Sequence, residues 1–237
     1  MMYGVNTAVS AAVKKLSQLD YVVHNLANAS TPGFKNARLL FVRRSSTDTL
    51  AEDSFSHDPV VLIDHSQGTA EKTGSPLDVA IQGDGYFVIE TPNGERFTRN
   101  GSFTLNAGGE LVTKSGDPVM GEGGRITISG KKFEIGNSGS VTVDGSEVGK
   151  IKLVDFKKKD ALIKKGAGLF EAAAKAEQSA IENPEVRAGY LETSNVAAVK
   201  EMIEMIDIQR SFEAYSKAMQ TISDQDRLST SRVGKIG

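Results

Sequence analysis

The sequence lacks cysteine and tryptophan altogether, and aromatic residues make up only 6% of its 237 residues. Without cysteine the chain has no disulfide, no thiolate metal ligand and no thiol nucleophile. Its formal net charge of −2 argues against a nucleic-acid-binding protein, which normally has a strongly basic surface. Thiol chemistry is therefore excluded and nucleic-acid binding is disfavoured, and we expect no small-molecule substrate.

Long hydrophobic runs are also missing. The longest helical stripe is interrupted by Lys14, Lys15 and Asp20, whereas a membrane span needs about 20 predominantly apolar residues. No basic residue precedes the small apolar segment 7–13, and two lysines follow it where a signal-peptide cleavage site would lie. We therefore expect neither membrane insertion nor a cleaved signal peptide.

The three histidines do not form a recognisable metal site. His57-Asp58 and Asp64-His65 flank a short apolar run, but their spacing matches no standard zinc pattern. The segment 83–85 lacks the alternating acidic ligands of a calcium loop, so its glycines indicate a tight turn. We expect no metal, no cofactor and no catalytic residue.

Each end of the chain has an apolar heptad pattern that predicts an amphipathic helix. Alternating steps of three and four residues place the apolar side chains on one helical face. An isolated helix of this length is marginal in water, so both stripes require helical partners. The N-terminal stripe is Val5, Val9, Ala12, Leu16, Leu19, Val23 and Leu26, and the C-terminal stripe is Met205, Ile208, Phe212, Tyr215, Met219 and Ile222.

A proline-glycine pair predicts where the first helix ends. Pro32 excludes Thr31 from the helical region, and Gly33 can adopt the positive φ required at the third position of a type II turn. Asn25 and Asn28 fall in the last helical turn, where their side chains can bond nearby backbone groups.

The glycine-rich middle of the chain changes to a period of two. Alternation at 77–81 predicts a half-buried strand, followed by a tight turn at Gly83-Asp84-Gly85 and a strand at 86–90. Asn93-Gly94 predicts a type I′ hairpin turn. Turn signals recur about every 8–12 residues, which is typical of an antiparallel all-β domain.

The return to helix is less determined. The segment 169–179 has high helix propensity, yet a return loop suits it equally well. Ser194 or Asn195 is expected to cap the C-terminal helix.

Together these patterns predict an α+β fold, in which N- and C-terminal helices pair as a coiled-coil stem with a small antiparallel all-β domain inserted between them. The expected segments are a stem helix and turn at 1–35, an extended connector at 36–74 with a short strand at 59–64, the β domain at 75–165, a return segment at 166–193 and a C-terminal stem helix at 194–237.

Short motifs also follow one another in a distinctive order. They are NLAN at 25–28, TPGFK at 31–35, GSPLDVAI at 74–81, GDGYFV at 83–88, FTRNGSF at 97–103, LETSNV at 191–196 and QRSFEAY at 209–215. In this order they resemble the bacterial flagellar basal-body rod and hook proteins. The motif positions expected to be structural are Asn25, Asn28, Pro32, Gly33, Phe34, Gly83, Gly85 and Asn195.

The resemblance implies a structural subunit whose terminal helices form a hollow helical tube around the export channel and transmit torque. It implies copies of the chain and other axial rod proteins as partners, export by the flagellar type III apparatus, and a place in the periplasmic rod of the basal body. The assembly interface would consist of the two apolar stripes. Length and a single β domain look most like the proximal rod type, with the distal rod type as the nearest alternative.

A hypothesis from another class is a β-rich ligand-binding module, for carbohydrate or another ligand, with helical dimerisation arms. It requires a concave face of aromatic rings, and the β region offers Tyr86, Phe87, Phe97, Phe103 and Phe133, mostly at core-like positions. An enzyme is the third choice.

Overall fold

The computed structural model describes residues 2–43, 57–130, 132–166, 168–181 and 183–233. Within these ranges the chain has two long helices, α1 at Met2–Ala27 and α2 at Ala198–Val233. The strands between them pair in antiparallel fashion wherever their register is defined. The predicted α+β class is therefore confirmed, and no described helix is long and apolar enough to cross a bilayer.

Nineteen strands lie between the helices in the described residues. In chain order they are β1 Ala37–Arg43, β2 His57–Ile63, β3 Ala70–Lys72, β4 Val79–Gln82, β5 Tyr86–Thr91, β6 Gly94–Thr98, β7 Phe103–Leu105, β8 Leu111–Thr113, β9 Met120–Gly121, β10 Gly124–Arg125, β11 Phe133–Ile135, β12 Ser140–Val143, β13 Ser146–Lys150, β14 Leu153–Phe156, β15 Leu162–Lys164, β16 Leu169–Ala172, β17 Gln178–Ala180, β18 Glu185–Ala188 and β19 Tyr190–Glu192.

The chain divides into two compact units. The helical unit comprises Met1–Ala27, Ala37–Leu62 and Ala197–Gly237, and the β unit comprises Asn28–Asn36 and Ile63–Val196. Each unit therefore combines segments that are far apart in the sequence.

In the helical unit, α1 contacts both α2 and strand β1. Side chains of β1 alternate, so that Ala37 and Leu39 are buried while Arg38 and Leu40 are exposed. Gln18 of α1 donates a hydrogen bond to the carbonyl oxygen of Leu39.

In the β unit, a six-stranded sheet has the order β15-β16-β6-β5-β14-β17. The central strand β5 faces two cores, because alternate side chains point to opposite sides of a sheet. Phe87 and Ile89 lie in one apolar cluster, and Tyr86 and Val88 lie in the other. This explains why residues 86–89 form a continuous apolar run instead of an alternating one.

The turn between β5 and β6 differs from the predicted type I′. Thr91 pairs with Gly94, so Pro92 and Asn93 are its two central residues. A type I′ turn needs positive φ at both central positions, which the proline ring forbids. Gly94 takes the positive φ instead, at 99°.

Two further segments are strands where the sequence did not indicate them. The segment 169–172 is neither helix nor loop but strand β16, because Phe170 is fully buried between β15 and β6. Tertiary packing here overrides a weak local helix propensity. The expected connector at 36–74 contains strands β1 and β3 in addition to β2, and β2 covers most of the short strand expected there.

Candidate functional site

The turn that follows α1 belongs to the β unit and packs against another loop of that unit. The amide nitrogen of Phe34 donates to the carbonyl oxygen of Thr31 at 3.2 Å, and Gly33 has a φ of 66°. A Cβ atom on Gly33 would overlap the backbone of Arg99 and Asn100. Glycine is therefore required here both for its conformation and for its size.

Three charged side chains next to this turn form a buried cluster, which we call the ionic junction: Lys35, Arg99 and Glu192. Their side chains are 0%, 2% and 1% exposed. Lys35 Nζ lies 2.6 Å from Glu192 Oε1, and Arg99 Nη1 lies 3.2 Å from Glu192 Oε2. The backbone amide of Gly68 also donates to Glu192 Oε1, and that of Gly33 donates to the Glu192 carbonyl oxygen. Each carboxylate oxygen thus has its own cation.

Backbone carbonyls accept further hydrogen bonds from the two cations. Lys35 Nζ donates to the carbonyl oxygen of Ser66 at 2.6 Å, and Arg99 Nη2 donates to that of Gly83 at 2.6 Å. Burial lowers the pKa of Lys35, although attraction to Glu192 opposes this shift. Burying such a pair is favourable only when further hydrogen bonds satisfy its polar atoms, and among the described residues Arg99 Nε is buried without a hydrogen-bond partner.

Lys164 of β15 covers the other side of the turn. Its Nζ lies 3.5 Å from the centroid of the buried Phe34 ring and donates to the carbonyl oxygen of Lys35 at 2.8 Å. Burial lowers the pKa of Lys164 to about 8. The ring and the carbonyl both favour its charged form, so this contact is a cation–π interaction that closes the turn.

A histidine-tyrosine pair borders the ionic junction. Tyr86 Oη lies 2.7 Å from His65 Nδ1, and the guanidinium carbon of Arg99 lies 5.4 Å from the Tyr86 ring centroid. Burial, followed by the charges of Lys159 and Lys35, lowers the pKa of His65 to about 4. Burial also raises the pKa of Tyr86. Both shifts fit a neutral imidazole whose Nδ1 accepts a hydrogen bond from the neutral Tyr86 hydroxyl.

We expect His65 to make the β unit less stable as the pH falls from 6.5 towards 4. The unfolded histidine binds a proton in this range and the folded one does not, so stability is complete above pH 6.5 and decreases below it. Replacing His65 with glutamine should flatten the dependence of unfolding free energy on pH, measured by urea denaturation. The exposed His24 is the matched control, and parallel curves for His65→Gln and His24→Gln would contradict the assignment.

In the helical unit, Asn25 connects α1 with β1 and α2. Its Oδ1 accepts from the amide of Ala37, and its Nδ2 donates to the Ala37 carbonyl at 2.9 Å and to Glu201 Oε2 at 3.2 Å. Asn25 and Glu201 are each only 1% exposed. Asn28, in the β unit, accepts a hydrogen bond from the hydroxyl of Thr31.

The prediction that Ser194 or Asn195 caps α2 is wrong, because α2 begins at Ala198. The Asn195 side chain instead accepts from the amide of Asn36 at 2.7 Å and donates to the carbonyl of Asp64 at 2.8 Å. It therefore joins chain segments that are more than a hundred residues apart. Gly83 and Gly85, both with positive φ, form the turn between β4 and β5.

The two predicted stripes differ in exposure. In α1, Ala12 is buried and two leucines are half-buried, while three members are exposed; the half-buried ones are Leu19 and Leu26, and the exposed ones are Val9, Leu16 and Val23. The side chain of Val5 lies outside the described residues. In α2, Ile208 is buried and the other members are half-buried: Met205, Phe212, Tyr215, Met219 and Ile222.

Sequence reasoning missed the ionic junction. Lys35, Arg99 and Glu192 each stand within one of the quoted motifs, and a charged residue inside a turn or strand motif was the available signal. The aromatic residues proposed for a ligand-binding face lie elsewhere: Tyr86, Phe87, Phe97 and Phe103 are all buried in the two cores, and Phe133 is half-buried against one of them.

Two protein-family models match parts of this chain. Residues 187–231 match the model of the C-terminal region of flagellar basal body rod FlgEFG proteins, and residues 80–143 match that of the D1 domain of flagellar hook proteins FlgE/F/G. Arg99 and Glu192 lie within these two matches.

Proteins similar to this chain over most of its length include rod proteins named FlgF and rod proteins named FlgG. The chain is 35% identical to the flagellar basal-body rod protein FlgF of Caulobacter vibrioides, over 92% of this chain and 93% of the relative. It is 35% identical to FlgF of Salmonella typhimurium and 32% identical to the rod protein FlgG of Bacillus subtilis, in both cases over 95% of this chain and 96% of the relative.

Proposed function

This chain belongs to the flagellar basal-body rod protein family, and we propose that it self-assembles through its terminal helices into the hollow tube of the rod. In this role the tube surrounds the export channel and transmits torque. The segments 1–35 and 194–237 would form a coiled-coil stem, with the β domain at 75–165 facing outwards.

The observation that carries this proposal is the apolar surface left on the helical unit. Val9, Leu16 and Val23 are each more than two-fifths exposed in the single chain. Complete burial of a large aliphatic side chain contributes about 1.5–3 kcal/mol, whereas an exposed ion pair contributes about 0–1 kcal/mol. Apolar packing between subunits therefore supplies most of the affinity, and charge helps to select the register.

The ionic junction supports the mechanical part of the proposal. It holds the segment that follows α1, at residues 28–36, to the segment that precedes α2, at residues 190–196. Arg99, which follows β6 in the same unit, is joined to this pair of segments through Glu192. A subunit that transmits torque needs such fixed points, because a loose joint would absorb the rotation.

We further propose the proximal rod position, the FlgF type, with the distal FlgG type as the alternative. The modest length and single small β domain support this choice. A tagged copy localised along purified basal bodies tests it: label at the proximal end of the rod is expected, and label confined to the distal end would contradict it. Export by the type III apparatus without a cleaved signal is tested by the N-terminal sequence of that assembled copy.

We expect Leu19→Asp to remove the subunit from the rod while leaving the β unit folded. The substitution places a carboxylate in the stem stripe, where burial of an unpaired charge is unfavourable. Circular dichroism should be unchanged in the β region, and basal bodies from a strain with only this variant should lack the protein. Ser10→Asp, at an exposed polar position of the same helix, is the control. Normal motility of the Leu19→Asp strain would count heavily against the proposal.

A further inference from the structure

We propose that residues 64–69 form an acid-released strap, in which His65 is the proton-sensitive latch that holds the strap against the ionic junction. The strap lies between β2 and β3 and belongs to the β unit. Protonation of His65 opens this segment and leaves the sheets of the unit in place. Opening involves a single copy of the chain, so it requires no assembled rod.

The strap is bonded to both segments that the ionic junction joins. The carbonyl oxygen of Ser66 accepts from Lys35 Nζ at 2.6 Å. The amide of Gly68 donates to Glu192 Oε1 at 3.1 Å. A Cβ atom on Gly68 would overlap the carbonyl of Thr193, so the strap lies directly on the segment that precedes α2. Displacement of the strap therefore takes a carbonyl acceptor from Lys35 and an amide donor from Glu192.

The His65 ring packs the strap against the apolar cluster that contains Tyr86. Its centroid lies 6.2 Å from that of the Tyr86 ring and 5.7 Å from that of the Phe170 ring. In contrast, strap residues 64, 66, 67 and 69 are all exposed. Whatever moves the His65 ring out of this cluster therefore also removes the packing of the strap.

A protonated imidazole is unfavourable in this position. Tyr86 Oη lies 2.7 Å from Nδ1, and within the described part of the chain Nε2 is buried without a hydrogen-bond partner. A buried donor without an acceptor costs free energy, and the cost is larger when the group is charged. Opening of the strap lets water solvate both ring nitrogens, so protonation favours the open form.

The charged groups around His65 act in the same direction. Burial lowers the pKa of His65 most, and two lysines lower it further, whereas two aspartates oppose the shift by smaller amounts. Arg99 adds another positive charge over the Tyr86 ring. The surroundings as a whole therefore disfavour a positive imidazole. The lysines are Lys159 and Lys35, and the aspartates are Asp160 and Asp64.

The direction of the pH effect follows from proton binding. The pKa of His65 is about 4 in the closed strap, and a solvated imidazole regains its ordinary value of 6.5. As the pH falls, the open form binds the proton first, so the strap is fully held above pH 6.5 and is released progressively towards pH 4. Between pH 7 and pH 5 the equilibrium constant for opening should rise about 20-fold.

Amide hydrogen exchange of the full-length chain, followed by NMR, tests the proposal. The readouts are the amides of Asp64, Gly68 and Thr193, whose hydrogen bonds break when the strap opens. Their protection factors, which are corrected for the intrinsic effect of pH on exchange, should fall about 20-fold between pH 7 and pH 5. At both pH values these amides should exchange faster than those of β5, because the sheet stays in place.

His65→Gln is the informative variant, because its amide can bond to Tyr86 but does not titrate in this range. Strap protection in this variant should be nearly independent of pH. His24→Gln, at an exposed position of α1, is the matched control and should keep the pH dependence of the natural chain.

Three results would overturn the proposal. One is strap protection in the natural chain that does not change with pH. Another is strap amides as well protected as those of β5 at both pH values, since the opening would then be global unfolding. The third is an equal pH dependence in His65→Gln and the natural chain. If His65→Gln does not fold, titration of the His65 ring signal in the natural chain decides instead, and a folded-state pKa near 6.5 would contradict the latch.

Discussion

Replacing Glu192 with glutamine should lower the free energy of unfolding of the β unit by about 3–5 kcal/mol, the usual cost of leaving a buried charge without its partner. The substitution preserves the size of the side chain but leaves Lys35 and Arg99 buried without a carboxylate. Urea denaturation followed by circular dichroism measures the change.

Glu177→Gln is the matched control for this experiment. Glu177 also pairs with a lysine, at 2.8 Å from Lys157 Nζ, but both side chains of that pair are more than 70% exposed. Its loss should cost about 0–1 kcal/mol. Equal effects of the two substitutions would mean that burial does not set the value of the ionic junction, and the role proposed for Glu192 would be lost.

Gly33→Ala should be nearly as damaging, at about 2–6 kcal/mol. About 1–3 kcal/mol comes from a side chain held at positive φ, and about 1–3 kcal/mol more from its overlap with packed backbone. The backbone of Arg99 and Asn100 cannot move away cheaply, because Arg99 is bonded to Glu192. The same denaturation measurement applies, and the strain should show reduced incorporation into the rod.

Gly116→Ala separates the strain of a side chain at positive φ from the overlap of its Cβ atom with packed backbone. Gly116 has a φ of 91°, but a Cβ added there meets nothing within 4 Å. Only the conformational cost of about 1–3 kcal/mol should remain. If Gly33→Ala were no worse than Gly116→Ala, the close approach of the turn to the backbone of Arg99 and Asn100 would have no energetic importance.

Much of the fold follows from local sequence patterns. The terminal stripes indicated both helices, because a period of 3.6 residues over many turns has no competing explanation. Pro32 and Gly33 indicated a turn for a similar reason, since their backbone preferences are intrinsic. The strand 86–91 was predictable in extent, although its continuous apolar run concealed the two cores that it separates.

The remaining features depend on partners distant in sequence. Asparagine is a common residue at helix N-caps, so the sequence alone favours that role for Asn195. Its side-chain amide instead bonds to the backbone of Asn36 and Asp64, which are distant in sequence. The segment 169–172 becomes a strand because β6 and β15 lie on either side of it. Lys35, Arg99 and Glu192 are ordinary surface residue types, and no local pattern predicts that they meet in the interior.

The link between Lys35 and Glu192 also sets an order of events. The two residues are 157 positions apart, so the lysine leaves the ribosome long before its carboxylate exists. Closing so long a loop costs entropy, and contacts at this separation form late in folding. An unfinished polypeptide that ends before Glu192 cannot form this ion pair, and Lys35 then has no carboxylate partner at that position. The ionic junction can therefore form only after about four-fifths of the chain has been made.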